Sequence, residues 1–369
     1  MARLRGLIFG LMSVLIVGWG DSVSGATAPA SGAYLPLSSP RTAGIADLVL
    51  IYQGGTHRRA WTPDELAPYV SFKAPDNPRE QWLFDGFLFI EFKDNRGREY
   101  ARGYQQKPGR KEDWLWLIER HFEKGHAIDA LDQVVARTAE RIGAPLRRRQ
   151  VVLTLPEPIH DQRDWGELDG RPLDFANPDD RIAACAWHIR IALARWETLA
   201  PRHLDLAGFY WVAEHSAHGN AILPRVAADI HAIGKRFYWI PYWAAAGAAN
   251  WQKLGFDAAY QQPNHFFNPE IPDQRIDLAC AFARTNGMGL EFECDWRAVQ
   301  SADVFRPRLH AYLQGFERNG VQTQAAMAYY EGGGALLRMA QSDDPEAWAL
   351  YQAVARWVAS RQQRIETRR

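Results

Sequence analysis

The chain has 369 residues and balances 43 basic against 43 acidic side chains, which leaves no field to draw in nucleic acid or an anionic membrane surface. A hydrophobic share of 47% is that of a globular protein with a sizeable core. The 15 Trp, 13 Tyr and 17 Phe are more unusual; most belong to the core, because an aromatic ring buries more area than other side chains, and a minority are free to line a ligand groove.

At the N-terminus, Arg3 and Arg5 precede an apolar run from Leu7 to Trp19, and Ser24-Gly25-Ala26 has the small-residue pattern of a cleavage site. The run is too short for a membrane span, so residues 1–26 are expected to be a signal peptide and the chain periplasmic or secreted; an uncleaved anchor is the alternative. Residues 27–45, rich in Ala, Ser, Gly and Pro, are expected to form a flexible lead-in. Nothing later approaches the ~20 apolar residues of a span, so no membrane insertion is expected after cleavage.

From there, strand-like apolar runs alternate with amphipathic stretches. The strand candidates are Asp47–Tyr52, Gly86–Phe92, Gln150–Leu155, Leu206–Val212, Arg236–Pro241, Phe256–Gln261, Met288–Glu293 and Gln324–Tyr330. Most are continuously apolar, as expected of strands covered on both faces. Apolar residues at helical spacing predict helices over Asp113–Glu123, His126–Arg141, Arg181–Thr198, Asn220–Ile233, Pro272–Thr285, Phe305–Asn319 and Pro345–Ser360. Eight strands with intervening helices predict a closed (β/α)8 barrel, a single α/β domain over residues 46–362. An open doubly wound sheet is the competitor. The turn Gln53-Gly54-Gly55-Thr56 lacks the spacing of a dinucleotide or phosphate loop, and no cofactor is expected. Cys185, Cys280 and Cys294 are too few and too scattered for a disulfide framework or a cysteine zinc cluster. Small buried thiols are the preferred reading over a Cys280–Cys294 pair.

In such a barrel, chemistry collects at the C-terminal ends of the strands. The fourth candidate strand runs on into Glu214, and the seventh holds Glu291 and Glu293 with Asp295 just beyond. Strand alternation puts Glu291, Glu293 and Asp295 on one face and Phe292 and Cys294 on the other, so the carboxylates are expected to face the axis. Acidic groups in an aromatic mouth are costly, and glycoside hydrolysis gives them a use: one protonated carboxyl as acid, one ionised carboxylate as nucleophile or base. Glu214 is the expected acid/base, with Glu291 or Glu293 as its partner. Around them, Trp211, Tyr242, Trp243 and Tyr330 are candidates to stack on sugar rings. Gln262, Asn264, Asp295 and Glu331 are candidates to bind hydroxyls. The alternatives are a carbohydrate-binding barrel without catalysis, and a metal-dependent hydrolase using His215 and His218. No H-E-x-x-H motif supports the latter, and no G-x-S-x-G elbow supports a serine nucleophile.

Several ordered motifs also resemble a bacterial family known only as domain of unknown function 4855. They are Leu83-Phe84-Asp85-Gly86-Phe87-Leu88-Phe89, Phe209-Tyr210-Trp211-Val212-Ala213-Glu214 and Phe237-Tyr238-Trp239-Ile240-Pro241-Tyr242. Gly255-Phe256-Asp257, Gln262-Pro263-Asn264 and Gly287-Met288-Gly289-Leu290-Glu291-Phe292-Glu293 follow. The resemblance spans roughly residues 46–340 and implies a barrel associated with carbohydrate-active proteins, without residue roles. Asp85, at the opening end of its strand, is read as structural.

Overall fold

A computed structural model describes residues 32–367; the expected signal peptide lies outside the described residues. Eight parallel strands close into a barrel in chain order. They are β1 (Asp47–Tyr52), β2 (Gly86–Ile90), β3 (Arg149–Leu155), β4 (Leu204–Trp211), β5 (Arg236–Trp239), β6 (Ala258–Gln261), β7 (Gly289–Glu293) and β8 (Met327–Tyr330). The seam closes where β8 pairs with β1, Met327 opposite Asp47 and Tyr329 opposite Val49.

Around it run α1 (Pro63–Val70), α2 (Lys111–His121), α3 (Ala127–Ile142), α4 (Pro178–Leu199), α5 (Leu223–Ala232), α6 (Gln274–Asn286), α7 (Ala302–Arg318) and α8 (Pro345–Thr367). The first of these escaped the periodicity analysis. It is eight residues long and contains Pro63 and Pro68, yet a capping box starts it: Thr62 and Glu65 satisfy each other's backbone N–H groups. Between β5 and β6 the crossover has only a one-turn helix at Ala248–Asn250. No described helix is long and apolar enough to cross a membrane.

Two apolar layers follow from strand alternation. Leu48, Leu50, Leu88, Ile90, Val152, Tyr210, Val212 and Tyr260 fill the barrel. Val49, Ile51, Phe87, Phe89, Leu153, Phe209, Trp211, Leu290 and Phe292 pack outward against the helices. In β4 the alternation breaks. Ala207 belongs to the inner layer, then Tyr210 and Val212 do, because the register against β3 slips between Leu206 and Gly208. Such a slip is a β-bulge, which re-aims every residue after it. Gly208 is required there, since a Cβ would stand 1.8 Å from the Arg236 carbonyl oxygen. The bulge turns the even-numbered residues of late β4 inward, in line with Glu214 beyond them.

From Tyr34 onward the segment expected to be a flexible lead-in is instead packed. Tyr34 and Leu35 are buried, and Leu35 joins the barrel floor through the Met288 carbonyl and the Ala326 N–H. Its apolar side chains outweigh the Ala/Ser/Gly/Pro composition that suggested flexibility. Asp85 is structural, as read: its carboxylate accepts the Ala46 and Asp47 N–H groups at the floor and pairs with Arg147. The three cysteines are free and buried.

Candidate active site

At the C-terminal mouth, the half-buried Glu214 is held by two donors on separate elements. Tyr104, from the long loop after β2, donates its hydroxyl to Oε2 at 2.6 Å. Gln262, just past β6, donates from Nε2 to Oε1 at 2.6 Å. The orientation of this amide is forced: the same Nε2 donates to the Ile240 carbonyl at 2.9 Å, and Oε1 accepts from Asn264 Nδ2 at 2.7 Å. Asn264 is fixed in turn because its Oδ1 accepts the Trp243 N–H at 2.6 Å. Backbone groups cannot exchange donor for acceptor, so both amides are locked. Burial raises the pKa of Glu214, and the Tyr104 and Gln262 donors oppose that rise.

Across the mouth, β7 contributes two carboxyls of different character. Glu293 is saturated: it accepts from the Tyr312 hydroxyl, from the Asn264 N–H at 3.1 Å and from the His265 N–H at 3.2 Å. Burial pushes it up to about 7 against those donors. Glu291, only 3% exposed, accepts no hydrogen bond from any described side chain or backbone group. Burial raises its pKa well above the usual carboxylate range, and the charges of Glu293 and Glu214 raise it further. The charge of Glu214 thus acts on Glu291, and the two carboxyls differ in their hydrogen bonding. Tyr104 and Gln262 favour the Glu214 anion, whereas Glu291 has nothing to stabilise its charge. Both carboxyls are raised by burial, Glu291 the further of the two.

The other expected site residues divide. Gln262 and Asn264 are present but act as the bridge between Glu214 and Glu293. Tyr242 is at the rim, its ring 6.1 Å from His215, and its N–H donates to the Glu214 carbonyl. Tyr330 stands edge-on to Tyr52 and Phe267, with centroids at 5.7 and 5.3 Å. Trp243 is half-buried beneath the Arg275 guanidinium, 4.7 Å from its ring centroid. Asp295 is engaged by Arg297 through both oxygens. Two expectations are corrected. Trp211 is 0% exposed and faces the helices, because the bulge sends odd-numbered positions of late β4 outward. Glu331, next after the inward Tyr330, also points outward; it accepts the Gly334 and Leu336 N–H groups and the Tyr69 hydroxyl.

Burial pushes Glu331 from 4.5 to about 7. A folded-state pKa above the unfolded one means the native protein holds the proton longer, so stability is lost as pH rises from about 4.5 to about 7. Glu331→Gln is expected to flatten that part of the stability–pH curve, a contribution on the order of 3 kcal/mol, measured by urea unfolding across the interval.

Sequence reasoning missed Tyr104, and also the buried Glu91 at the end of β2. Glu91 binds Arg58 through both oxygens, with the guanidinium 4.4 Å from the Tyr52 ring centroid. His215 and His218 are near neighbours, with ring centroids 6.3 Å apart. The described residues contain no group of three or more His, Cys, Asp or Glu arranged to hold a metal ion. Aromatic rings gather at the mouth, Tyr104 stacking on Phe92 at 4.3 Å. A separate groove of about 450 Å³ lies on the flank between α4 and α5.

The family model described as Domain of unknown function (DUF4855) matches residues 47–356. No curated protein matches the chain. Among solved structures, the chain is similar to a tryptophan synthase complex from Pyrococcus furiosus, at 11% identity, covering 84% of this chain and 96% of that one, with a TM-score of 0.38. It is similar to a GH113 β-1,4-mannanase at 10% identity, covering 84% and 97%, with a TM-score of 0.42. It is also similar to an intracellular xylanase from Thermoanaerobacterium saccharolyticum at 10% identity, covering 77% and 85%, with a TM-score of 0.37. At such identities the likeness is one of barrel fold alone.

Proposed function

The chain belongs to the family of the Domain of unknown function (DUF4855), and from the chemistry of its barrel mouth we propose that it is a glycoside hydrolase acting on a poly- or oligosaccharide. The observation that carries this reading is the pairing of Glu214 and Glu291. Burial raises both, the charges of Glu293 and Glu214 raise Glu291 further, and only Glu214 has donors for its charged form. Glycoside hydrolysis uses one carboxyl in each state. The donors reverse the roles expected from strand position: Glu291 carries the proton for the leaving oxygen, and Glu214 is the carboxylate that attacks the anomeric carbon or deprotonates water. Glu293 holds the Asn264–Gln262 bridge. The rings of Tyr242 and Tyr330 offer flat surfaces for sugar faces. With the leader expected over residues 1–26, the protein acts in the periplasm or outside the cell.

Release of reducing ends from a panel of neutral and charged glycans tests the reading. Turnover of at least one, with a bell-shaped pH dependence, is the expected result; binding without release from any member would leave a carbohydrate-binding barrel. The ascending limb follows Glu214 ionising and the descending limb Glu291 losing its proton, as macroscopic values of the pair. Glu293→Gln removes a charge that raises Glu291. The descending limb is therefore expected to move to lower pH, and a limb that stays in place would deny the coupling.

A further inference from the structure

We infer that Tyr104 is a positioning residue of this site, holding the Glu214 carboxyl through the hydroxyl donated to Oε2, and that Glu99 in turn positions Tyr104. The inference rests on the proposed role of Glu214 for its catalytic consequence, but its geometry stands apart from any reaction.

Tyr104 comes from the polar stretch between β2 and α2, where nothing in strand or helix periodicity fixes a side chain. Its place is set by a carboxylate. The buried Glu99 turns Oε2 toward three successive backbone N–H groups, those of Gly103, Tyr104 and Gln105, at 2.9, 2.8 and 2.7 Å. Three amides converging on one anionic oxygen define a tight turn, the geometry of an anion-binding nest with the anion supplied by the chain itself. Gly103 sits at φ +100, a conformation glycine adopts without strain. The neighbouring Arg102 N–H is tied to the buried Glu157 at the end of β3, at 3.0 Å. Before the turn, the Tyr100 N–H donates to the Phe92 carbonyl at 2.8 Å. So anchored, the turn delivers the Tyr104 ring onto Phe92, with planes 22° apart, and its hydroxyl onto Glu214.

The two holds on Glu214 differ in kind. Gln262 belongs to the end of a barrel strand and is locked by backbone groups; Tyr104 belongs to a loop whose turn is gathered by the Glu99 carboxyl, with Glu157 holding the neighbouring Arg102 N–H. Both donate, so both favour the ionised carboxyl against its burial. Tyr104→Phe keeps the ring on Phe92 and removes the donor alone. Glu99→Ala keeps Tyr104 and removes what orders it. If Glu99 acts on Glu214 only through Tyr104, the two substitutions share one effect and do not add.

The test is the titration of Glu214 itself, followed by carbon NMR of the ligand-free protein with carboxyl-labelled glutamate, the Glu214 signal being identified by its loss in Glu214→Gln. Tyr104→Phe is expected to move the midpoint upward by about one to two pH units, the range of a hydrogen bond to a charged group. Glu99→Ala is expected to move it in the same direction, and the double variant no further than Tyr104→Phe. Glu99→Gln, which keeps an acceptor oxygen, replaces Glu99→Ala should that variant not fold, with a smaller shift expected. In the hydrolysis assay the ascending limb of kcat/KM moves by the same amount. An unchanged midpoint in Tyr104→Phe overturns the role of Tyr104, and additive shifts overturn that of Glu99. Failure to hydrolyse any glycan would remove the hydrolase reading while the midpoint still decides on Tyr104.

Discussion

Glu214→Gln is expected to lower kcat/KM by ~10³-fold or more, with glycan affinity in a calorimeter nearly unchanged. The amide has the shape of the carboxyl, and its oxygen still accepts from Gln262. Its NH2 faces Tyr104, whose hydroxyl accepts as readily as it donates. The mouth therefore keeps its form and loses only a negative charge and a nucleophilic oxygen. Glu291→Gln is expected to cost ~10²–10⁴-fold on a natural glycan, and here the leaving group separates the two roles. An aryl glycoside with an acidic phenol departs without being protonated, so it should recover most of the Glu291→Gln loss and little of the Glu214→Gln loss. The opposite pattern would return the acid/base role to Glu214, as its place after β4 first suggested. Full turnover in either variant would remove that residue from the chemistry.

The barrel was legible because parallel strands covered on both faces announce themselves as apolar runs. Asp47–Tyr52 was delimited to the residue, and every other strand lies within its expected segment or extends it by one or two positions at its start. The carboxylates of β7 were legible by alternation, with Phe292 and Cys294 outward in the core and Glu291 inward. The same rule, applied to β8, would have sent Glu331 outward beside the inward Tyr330. It fails for β4, because a strand apolar on both faces gives no sign of a bulge; the slip at Leu206–Gly208 decides whether Trp211 or its neighbours face the axis. Tyr104 was illegible for a different reason. Its position depends on Glu99 gathering three amides, a tertiary arrangement within a loop that has no period. Glu91 was written inside a strand candidate and overlooked, since only its pairing with Arg58 across the β1 loop marks it as part of the rim.

Far from the mouth, Arg361→Met is expected to destabilise the fold by about 3–5 kcal/mol at neutral pH, the range for stranding one member of a buried ion pair. Arg361 is fully buried near the end of α8 and donates from Nε to Asp47 Oδ1 at 2.6 Å. Its remaining donors reach the carbonyls of Val321, Gln322, Ala46 and Ala325. Asp47 also accepts from the Tyr329 hydroxyl at 2.6 Å and from Gln362 at 2.7 Å. The pair thus ties the first strand, the last strand and the final helix together at the barrel seam. A surface pair such as Arg356–Asp76, exposed on both sides, is screened by solvent and contributes little, which makes Arg356→Met the internal control. Burial already raises the pKa of Asp47, and Arg361 is the largest influence lowering it. Without the guanidinium that pKa climbs further above its unfolded value, so the variant loses stability as pH rises and regains part of it on acidification. Urea unfolding of both variants at neutral and mildly acidic pH measures this. A loss at Arg361 no larger than at Arg356, or one independent of pH, would mean that α8 is held by its apolar face and not by the charge at its end.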